Sequence, residues 1–408
     1  MIKQGFSLLF FLGILWGATA QSTTGSAYNA FGIGGLQPIG IGAYSSTGFT
    51  GIASRMSTAV NLENPAGLTS IFGPTHVFDL DLSISHLNQT SDFDSFSTTI
   101  GGLVGMNLWM KSGDKSAVSF GLAQFSDGRY NVVDTYTNSS LIDAYSVQYQ
   151  GSGGLSQLYM AYGKQLGRYL NVGVKGSLIF GNISNSQRLY GNDLVDGVMI
   201  SETAGVGKFI WDAGLQYTIP LGSTSSITLG ATYQPSFVLE YEVEQSIIRE
   251  GYDSLKEEND RTMILPQGYG VGLQLALRKW TVSMDGAFDK WGVNGERESF
   301  DYVDQYGFST GVTYQNTENL EKYMNRVILR MGYGYESGYT NVLGRSYDMK
   351  QFNIGIGLPV NRNFGYVNLG YTYSQQGEAS TVLLLEEMHT ISLNISIREL
   401  WFTRQVYD

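Results

Sequence analysis

Alternation of apolar and polar residues, repeated along most of the chain, is the feature that most limits what this sequence can fold into. From Phe78 to Ser85, four large apolar residues alternate with Asp and Ser, which is the period of a β-strand with one apolar face. The same pattern recurs at 157–162, 171–180, 227–233, 269–277, 326–336, 352–358, 367–373 and 391–397. The sequence therefore predicts an all-β fold.

The residues on the second face of these strands decide between a soluble and a membrane fold. That face is built from Gly, Ser, Asn and Gln in strand after strand, and the chain has 52 Gly, 27 Tyr and only 15% charged residues. An array of soluble β-sandwiches has a similar composition. A closed barrel in lipid satisfies the pattern directly, because its apolar face turns outward and closure removes every unpaired edge. We predict a transmembrane antiparallel β-barrel of about 14 strands.

The start of the chain predicts export. Lys3 is followed by an apolar stretch from Phe6 to Trp16 and by the small residues 18–20, the pattern of a secretory signal peptide. We predict a signal peptide at 1–20, an N-terminal hatch at 21–74 and an outer-membrane barrel at 75–408. The chain has no cysteine, so disulfides, thiol nucleophiles, cysteine metal sites and lipid attachment to an N-terminal cysteine are excluded.

Connection lengths predict which end of the barrel faces outward. The short connections 166–168, 277–279 and 360–363 are expected to be periplasmic turns, and the longer polar stretches 181–207, 240–262 and 291–325 are expected to face outside. The stretch 240–262 is expected to form strand extensions or a short helix. An even number of strands places both ends of the wall on the periplasmic side.

The region before the strands, 21–59, is rich in Gly, Ser and Thr and has no sustained period. Phe31, Ile33 and Phe49 give it more apolar character than a flexible leader has, so we predict an ordered plug in which these three residues contact a ligand. At its end, Asn64-Pro65-Ala66-Gly67 predicts a rigid turn, because Asn caps free N–H groups and Pro fixes φ. That turn is expected to fasten the plug to the wall.

Three basic residues are predicted to point into the lumen. Alternation places Lys175, Arg326 and Arg330 on the polar face of their strands. A cation in a partly dehydrated channel attracts carboxylates more strongly than one in water, so one interpretation is that they hold the head group of an amphipathic acid or an acidic part of the hatch. The alternative is that they pair with lumenal acids such as Asp79 and Asp81.

Several functions are disfavoured by composition. The formal charge of −11 argues against nucleic-acid binding, which requires clustered Lys and Arg. His76, His86 and His389 are the only histidines. His76 has Asp79 nearby in sequence, but a solvated imidazole at a strand start is the simpler interpretation. We predict no enzyme activity, no catalytic residue, no metal and no cofactor.

Two blocks of sequence resemble one family. The Gly-rich leader running into Asn64-Pro65-Ala66-Gly67-Leu68 is similar to the N-terminal hatch and NPA motif of FadL-type outer-membrane transporters. Leu265-Pro266, the strand 269–277 and the hairpin ending at Trp291 are similar to a second block of that family. The resemblance implies a monomeric 14-stranded barrel closed by the hatch, with passive uptake of hydrophobic molecules and in some members lateral exit through a kinked strand.

The end of the chain departs from this pattern. Six residues follow Phe402, and Arg398 to Phe402 resemble FadL-related barrels of the Bacteroidetes, some of which serve the type IX secretion translocon as shuttle or plug subunits. The first hypothesis is therefore passive uptake of small hydrophobic or amphipathic, fatty-acid-like molecules across the outer membrane of a Gram-negative bacterium. The alternative is a non-transporting subunit of the secretion translocon. Expected partners are outer-membrane lipid with either a hydrophobic ligand or a translocon protein.

Overall fold

The fold is described by a computed structural model for residues 25–38, 42–72, 76–92, 94–138, 142–191, 198–249, 255–297, 300–360, 365–380 and 383–399. The predicted signal peptide lies outside these ranges. Within them, no helix combines the length and the apolar character needed to cross a bilayer.

The N-terminal segment, residues 25–72 and called the hatch below, has little regular structure. It contains the two-residue strand β1 (Gly35–Leu36) and three 3-10 helices, at Ala27–Ala30, Ser45–Thr47 and Pro65–Ser70. Its backbone-to-backbone hydrogen bonds are mostly local turns, such as that from Thr47 to Tyr44. The bonds that join it to the surrounding strands mostly involve side chains of the wall, such as Asp285 and Lys175.

The wall is antiparallel throughout and closes on itself. Its strands are β2 (His76–Thr90), β3 (Ser95–Gly113), β4 (Ser116–Asp127), β5 (Tyr130–Asn138), β6 (Ile142–Leu166), β7 (Leu170–Gly191), β8 (Val198–Pro220), β9 (Ser225–Gln234), β10 (Phe237–Arg249), β11 (Leu255–Leu265), β12 (Gly268–Leu277) and β13 (Trp280–Asp289). After the short outer strand β14 (Phe300–Tyr302) come β15 (Gln305–Gln315), β16 (Ile328–Glu336), the outer strand β17 (Thr340–Val342), which pairs with β14, and then β18 (Met349–Pro359), β19 (Tyr366–Gln376) and β20 (Leu385–Glu399). β20 pairs with β2 along its whole length, from His76↔Glu399 to Thr90↔Leu385.

Three wall strands are interrupted, and counting each of them once gives the fourteen strands predicted from sequence. β4 and β5 are separated by Gly128-Arg129, β9 and β10 by Pro235-Ser236, and β11 and β12 by Pro266-Gln267. Proline has no N–H to donate to a ladder, which explains the second and third breaks. The predicted fold class, an antiparallel barrel of about 14 strands, is confirmed.

The two faces of the wall differ as predicted. The outward face carries large apolar side chains with high exposure, for example Ile84 at 59%, Phe209 at 61% and Val271 at 66%. The lumenal face carries buried polar side chains, among them Gln157, Ser177, Gln216, Gln274 and Asn394. Only acyl chains of a membrane give such an outward band a favourable environment.

Strand lengths show that the wall extends much farther along the barrel axis on one side of the barrel than on the other. β6 has 25 residues and β16 has 9. The predicted outer stretches 181–207 and 240–262 are largely extensions of β7, β8, β10 and β11, and the described residues of 240–262 contain no helix. The predicted turns 166–168 and 277–279 are confirmed, whereas 361–363 of the third turn lie outside the described residues.

The prediction of one outer stretch at 291–325 is wrong. β15 crosses the wall at 305–315, so 290–304 connects strands at the outer end and 316–327 connects them at the periplasmic end. The periplasmic connection contains the single-turn helix α1 (Tyr323–Arg326).

Candidate functional site

Asn64 is the central residue of the hatch motif and is fully buried. Its Oδ1 accepts the N–H of Ala66 at 3.0 Å and so caps the 3-10 helix that follows. Its Nδ2 lies 2.7 Å from the carbonyl oxygen of Ile52 in the hatch, and 3.2 and 3.3 Å from those of Leu215 and Ala231 in the wall. One side chain therefore joins the predicted turn to the hatch and to two wall strands.

A belt of lumen-facing glycines lets the hatch backbone lie directly against the wall. A β-carbon on any of these glycines would lie 1.9–2.8 Å from a hatch atom. The glycine belt consists of Gly163, Gly173, Gly214, Gly230, Gly272, Gly311, Gly332, Gly355 and Gly370. Each comes from a different strand, so the hatch contacts the wall backbone around most of the circumference.

Asp285 anchors the hatch on β13, a strand between two members of the glycine belt. Its Oδ2 accepts the N–H groups of Gly51 and Ile52 at 2.7 and 2.8 Å. The carboxylate is 6% exposed. Hydrogen bonds from two successive N–H groups to one carboxylate hold the hatch turn in place.

Lys175 is also engaged in holding the hatch. It is 3% exposed, its Nζ donates to the carbonyl oxygen of Leu62 at 3.1 Å, and it forms an ion pair with Asp212 at 3.2 Å. The ion pair is the kind of pairing with a lumenal acid that the sequence left open as the alternative, and the hatch contact is made to a backbone carbonyl and not to an acidic side chain.

Arg330 lies deep in the wall near the periplasmic end. Its Nη1 donates to Asn368 at 2.9 Å, Asn368 donates to Asn394 at 2.7 Å, and Asn394 donates to Asp81 at 2.8 Å. A chain of hydrogen bonds between residues of four strands thus connects a buried cation on β16 to a carboxylate on β2. Arg326 does not lie on a strand as predicted: it ends α1 in the periplasmic connection, before β16 begins at Ile328, and its guanidinium lies 5.8 Å from the ring centre of Tyr323.

A cavity of about 560 Å³ lies in the outer half of the barrel, within the usual range for small-molecule sites. Its floor is formed by the hatch, including Phe49, Ile52 and Glu63, and Tyr339 and Tyr347 lie at its outer end. Lys175, Arg326 and Arg330 are not among its lining residues. The structure therefore does not bring the three predicted basic residues to this cavity.

The three apolar hatch residues predicted to contact a ligand are divided between the cavity and its surroundings. Phe49 lines the cavity. Ile33 is 4% exposed and packs in a buried cluster with Leu155, Ile179 and Trp291. Phe31 stacks near Phe300 and Tyr347, with ring centres 5.2 and 6.3 Å apart.

One side of the cavity faces a gap in the wall. β4 pairs with β3 only between Gly105 and Gly113. The outer part of β3, 95–104, pairs with β2 on one side and, within the described ranges, with no strand on the other. A register shift at Asp81/Leu82 leaves Val104 as an extra residue where this unpaired part begins.

The strand that would close the gap turns inward instead. Leu36 and Gly35 of β1 pair with Ser126 and Asp127 at the end of β4. β5 then pairs with β6. The residues of the unpaired edge, 100–104, line the cavity, and a β-carbon on Gly102 would have no atom within 4 Å. The cavity therefore reaches the unpaired edge of β3.

The charged groups that line the cavity are mostly acidic. Asp127 and Arg129 neutralise each other through two hydrogen bonds of 2.8 Å, a bidentate arrangement. The remaining charged lining groups are Glu63, Asp285, Asp289 and Glu336. An anionic head group would meet repulsion here.

Glu63 is the acidic group that the hatch itself brings to the cavity. Burial raises the pKa of its carboxyl to about 7; Lys175 opposes this shift, and Asp285, Asp212 and Asp289 add to it. Near neutral pH the floor of the cavity therefore carries a carboxyl that is about half protonated.

Some residues that position the site were not found from the sequence. Glu386 on β20 accepts Ser26 Oγ at 2.6 Å and the N–H of Ala27 at 2.7 Å. The hydroxyl of Tyr339 lies 2.9 and 2.8 Å from the carbonyl oxygens of Phe31 and Gly34. These contacts hold the start of the hatch at the outer end, and they join residues 305 to 360 positions apart, which no local pattern reveals.

A closed fourteen-stranded wall with an outward apolar band and a hatch bonded inside it defines an outer-membrane β-barrel of the FadL-type fold. Solved structures with this fold include a FadL homologue of Pseudomonas aeruginosa, at a TM-score of 0.63 and 10% identity over 89% of this chain and 99% of that one. The toluene transporter TodX of P. putida matches with a TM-score of 0.61 and 16% identity, over 90% of this chain and 100% of that one. The toluene transporter TbuX of Ralstonia pickettii matches with a TM-score of 0.57 and 14% identity, over 90% of this chain and 100% of that one. The chain has the fold of these three proteins.

The family is identified by a match over the whole sequence. The BamG family model matches residues 1–408, and the chain belongs to the BamG family. No curated protein matches it at a significant level.

Proposed function

We propose that this barrel gives small hydrophobic or amphipathic molecules a passive path between its outer-half cavity and the membrane. The observation that carries the proposal is the continuity of the cavity lining with the unpaired edge of β3 at 100–104. A molecule in the cavity reaches the acyl chains through this gap without crossing the hatch. Passage needs no energy source, because each Å² of apolar surface that leaves water contributes about 25 cal/mol.

The lining sets the class of passenger. Five acidic groups lie on the cavity surface, and the one lining arginine, Arg129, is paired with one of them, Asp127, which leaves four. We therefore expect uncharged molecules, such as a monoaromatic hydrocarbon or a medium-chain alcohol, to pass more readily than a fatty acid whose carboxylate is ionised. The similarity to two toluene transporters supports the same class of passenger.

The experiment is to narrow the gap. Gly102→Trp places a large side chain in the open space beside the unpaired edge. Uptake of labelled toluene and decanol is measured in cells that depend on this barrel for entry. We expect uptake to fall to the rate of cells without the protein.

Gly207→Trp is the matched control, because a β-carbon on Gly207 also has no atom within 4 Å but this residue does not line the cavity. Its uptake should equal that of the unchanged protein. Equal uptake by both variants, with both barrels folded and at normal abundance, would overturn the proposal.

A second function is favoured by the way the hatch is held. Glycine backbone of nine strands lies against the hatch, Asp285 and Lys175 of the wall bond to it, and its own Asn64 bonds to the wall. Such a fixed interior suits a barrel that serves as a structural subunit of a secretion or assembly complex, including the type IX translocon. In that case the protein co-purifies in mild detergent with a large partner at equal stoichiometry, and the Gly102→Trp variant keeps both the partner and the cellular phenotype.

A further inference from the structure

The first and last wall strands carry two of the chain's three histidines directly opposite each other. His86 on β2 and His389 on β20 are register partners. Opposed residues of an antiparallel pair have β-carbons about 4.5–5.5 Å apart and side chains on the same face. That face is the outer one, because Ile84 and Ile391, two residues along each strand, are 59% and 60% exposed.

Both imidazoles are held by their Nδ1 atoms. His86 Nδ1 lies 3.1 Å from the hydroxyl of Thr99 on β3, and His389 Nδ1 lies 2.7 Å from the hydroxyl of Tyr371 on β19. β3 and β19 flank the histidine pair on its two outer sides. With the hydroxyl oxygens accepting Nδ1–H, each Nε2 keeps its lone pair.

The direction of these hydrogen bonds orients the second nitrogen. Nδ1 and Nε2 lie on opposite flanks of an imidazole ring. The Nδ1 atom of His86 is held toward β3 and that of His389 toward β19. The Nε2 atom of each histidine is therefore turned toward the other histidine. Metal-binding histidines are ordinarily fixed in this way, by a hydrogen bond from the nitrogen that does not bind the metal.

We propose that His86 and His389 form a site for an exchangeable divalent transition-metal ion, bound by their two Nε2 atoms and completed by water. Imidazole selects Cu²⁺, Ni²⁺ and Zn²⁺, whereas Ca²⁺ and Mg²⁺ prefer oxygen ligands. Within the described part of the chain no group of three or more His, Asp or Glu is placed to hold a metal, so the protein supplies two ligands and the ion exchanges with solution.

The position of the pair lets ions reach it from water. Tyr371 and Tyr373 lie beside His389, with the Tyr373 ring centre 5.2 Å from that of the imidazole. Aromatic residues of this kind mark the membrane–water interface of outer-membrane barrels. An ion bound here would connect β2 to β20, the two strands that close the barrel, and would stabilise the closed wall by mass action.

The test uses the folded chain in non-ionic detergent, purified without a polyhistidine tag. Cu²⁺ and Ni²⁺ binding are measured by titration calorimetry, and the Cu²⁺ complex by electron paramagnetic resonance. We expect one ion per chain with two nitrogen donors, and an affinity lowered at least about tenfold in His86→Gln and in His389→Gln. His76→Gln is the matched control, because it removes the third histidine, at the other end of β2, and should leave the affinity unchanged.

Two further measurements distinguish a metal site with oriented ligands from two histidines that merely lie near the membrane–water interface. Thr99→Val removes the group that orients His86 and should weaken Ni²⁺ binding by about 10–100-fold while both histidines remain. Ni²⁺ should raise the unfolding temperature of the unchanged protein and of His76→Gln only, and Ca²⁺ should raise neither. The proposal is overturned if the unchanged protein binds no ion, or if His86→Gln, His389→Gln or Thr99→Val binds Ni²⁺ as tightly as the unchanged protein.

Discussion

The side chain of Asn64 fills the space beside Gly214 that any larger residue would need: a β-carbon on Gly214 would lie 1.9 Å from Asn64 Oδ1. The hatch motif and the wall are therefore complementary in shape as well as in hydrogen bonding. This relationship gives the most direct test of how firmly the hatch is fixed.

Gly214→Ala should destabilise the barrel by displacing Asn64. Overpacking of a filled site typically costs about 1–3 kcal/mol, and the displaced amide also loses its bonds to Leu215 and Ala231. Thermal unfolding, followed by gel mobility of the heated and unheated barrel, measures the effect. Gly207→Ala on the same strand meets open space and should leave the unfolding temperature unchanged; equal behaviour of the two variants would contradict the contact.

Pro65→Gly should lower stability without opening the barrel. Proline fixes φ at the first position of the 3-10 helix, and glycine there adds freedom to the unfolded chain, a loss of about 1 kcal/mol. Leakage of small polar solutes from proteoliposomes should not change, because the remaining hatch contacts persist. Greater leakage at unchanged stability would instead identify the motif as a gate.

The pKa of Glu63 predicts a pH dependence of stability. Because the folded state raises this pKa from 4.5 to about 7, its contribution to stability is fully present below pH 4.5 and is lost as the pH rises toward 7. The loss is on the order of 3 kcal/mol. Glu63→Gln should therefore reduce the slope of unfolding free energy against pH between pH 4.5 and 7, while exposed Glu321→Gln keeps the original slope. A Glu63→Gln profile as steep as that of the unchanged protein would argue against a buried carboxyl.

Lys175→Met should be strongly destabilising because it leaves Asp212 buried without its partner. Removing one member of a buried pair costs about 3–5 kcal/mol. Adding Asp212→Asn removes the unpaired charge, so the double variant should unfold at a higher temperature than Lys175→Met alone. If Lys175 instead binds a passenger, the single variant would lose uptake and keep its stability.

The sequence predicts the fold well because its main signal is local. Strand alternation and the outward apolar face depend only on period, and both are confirmed. β15 was missed because it is a short strand, 305–315, that is polar on one face and lies between two polar connections. Its alternation is therefore hard to distinguish from the polar sequence on either side. Only pairing with β13 and β16 identifies it as a wall strand.

The site is less predictable because its features are absences and long-range contacts. At the gap beside Gly102, β3 lacks backbone hydrogen bonds to a neighbouring strand on one side, and no residue type in the sequence indicates this. In sequence, Gly332 resembles any glycine that weakens a strand; its role appears only when Gly48 of the hatch lies against it. Likewise, alternation places Arg330 in the lumen, but its partner Asn368 is known only from the register of the strands.

The glycine belt also constrains the order in which the molecule is made. A segment that lies against bare backbone on nine strands leaves no clearance for insertion into a finished tube. The hatch must therefore be in position while the sheet is still open, and the sheet must curl around it. On this route β2 and β20 pair last, after the hatch has been enclosed.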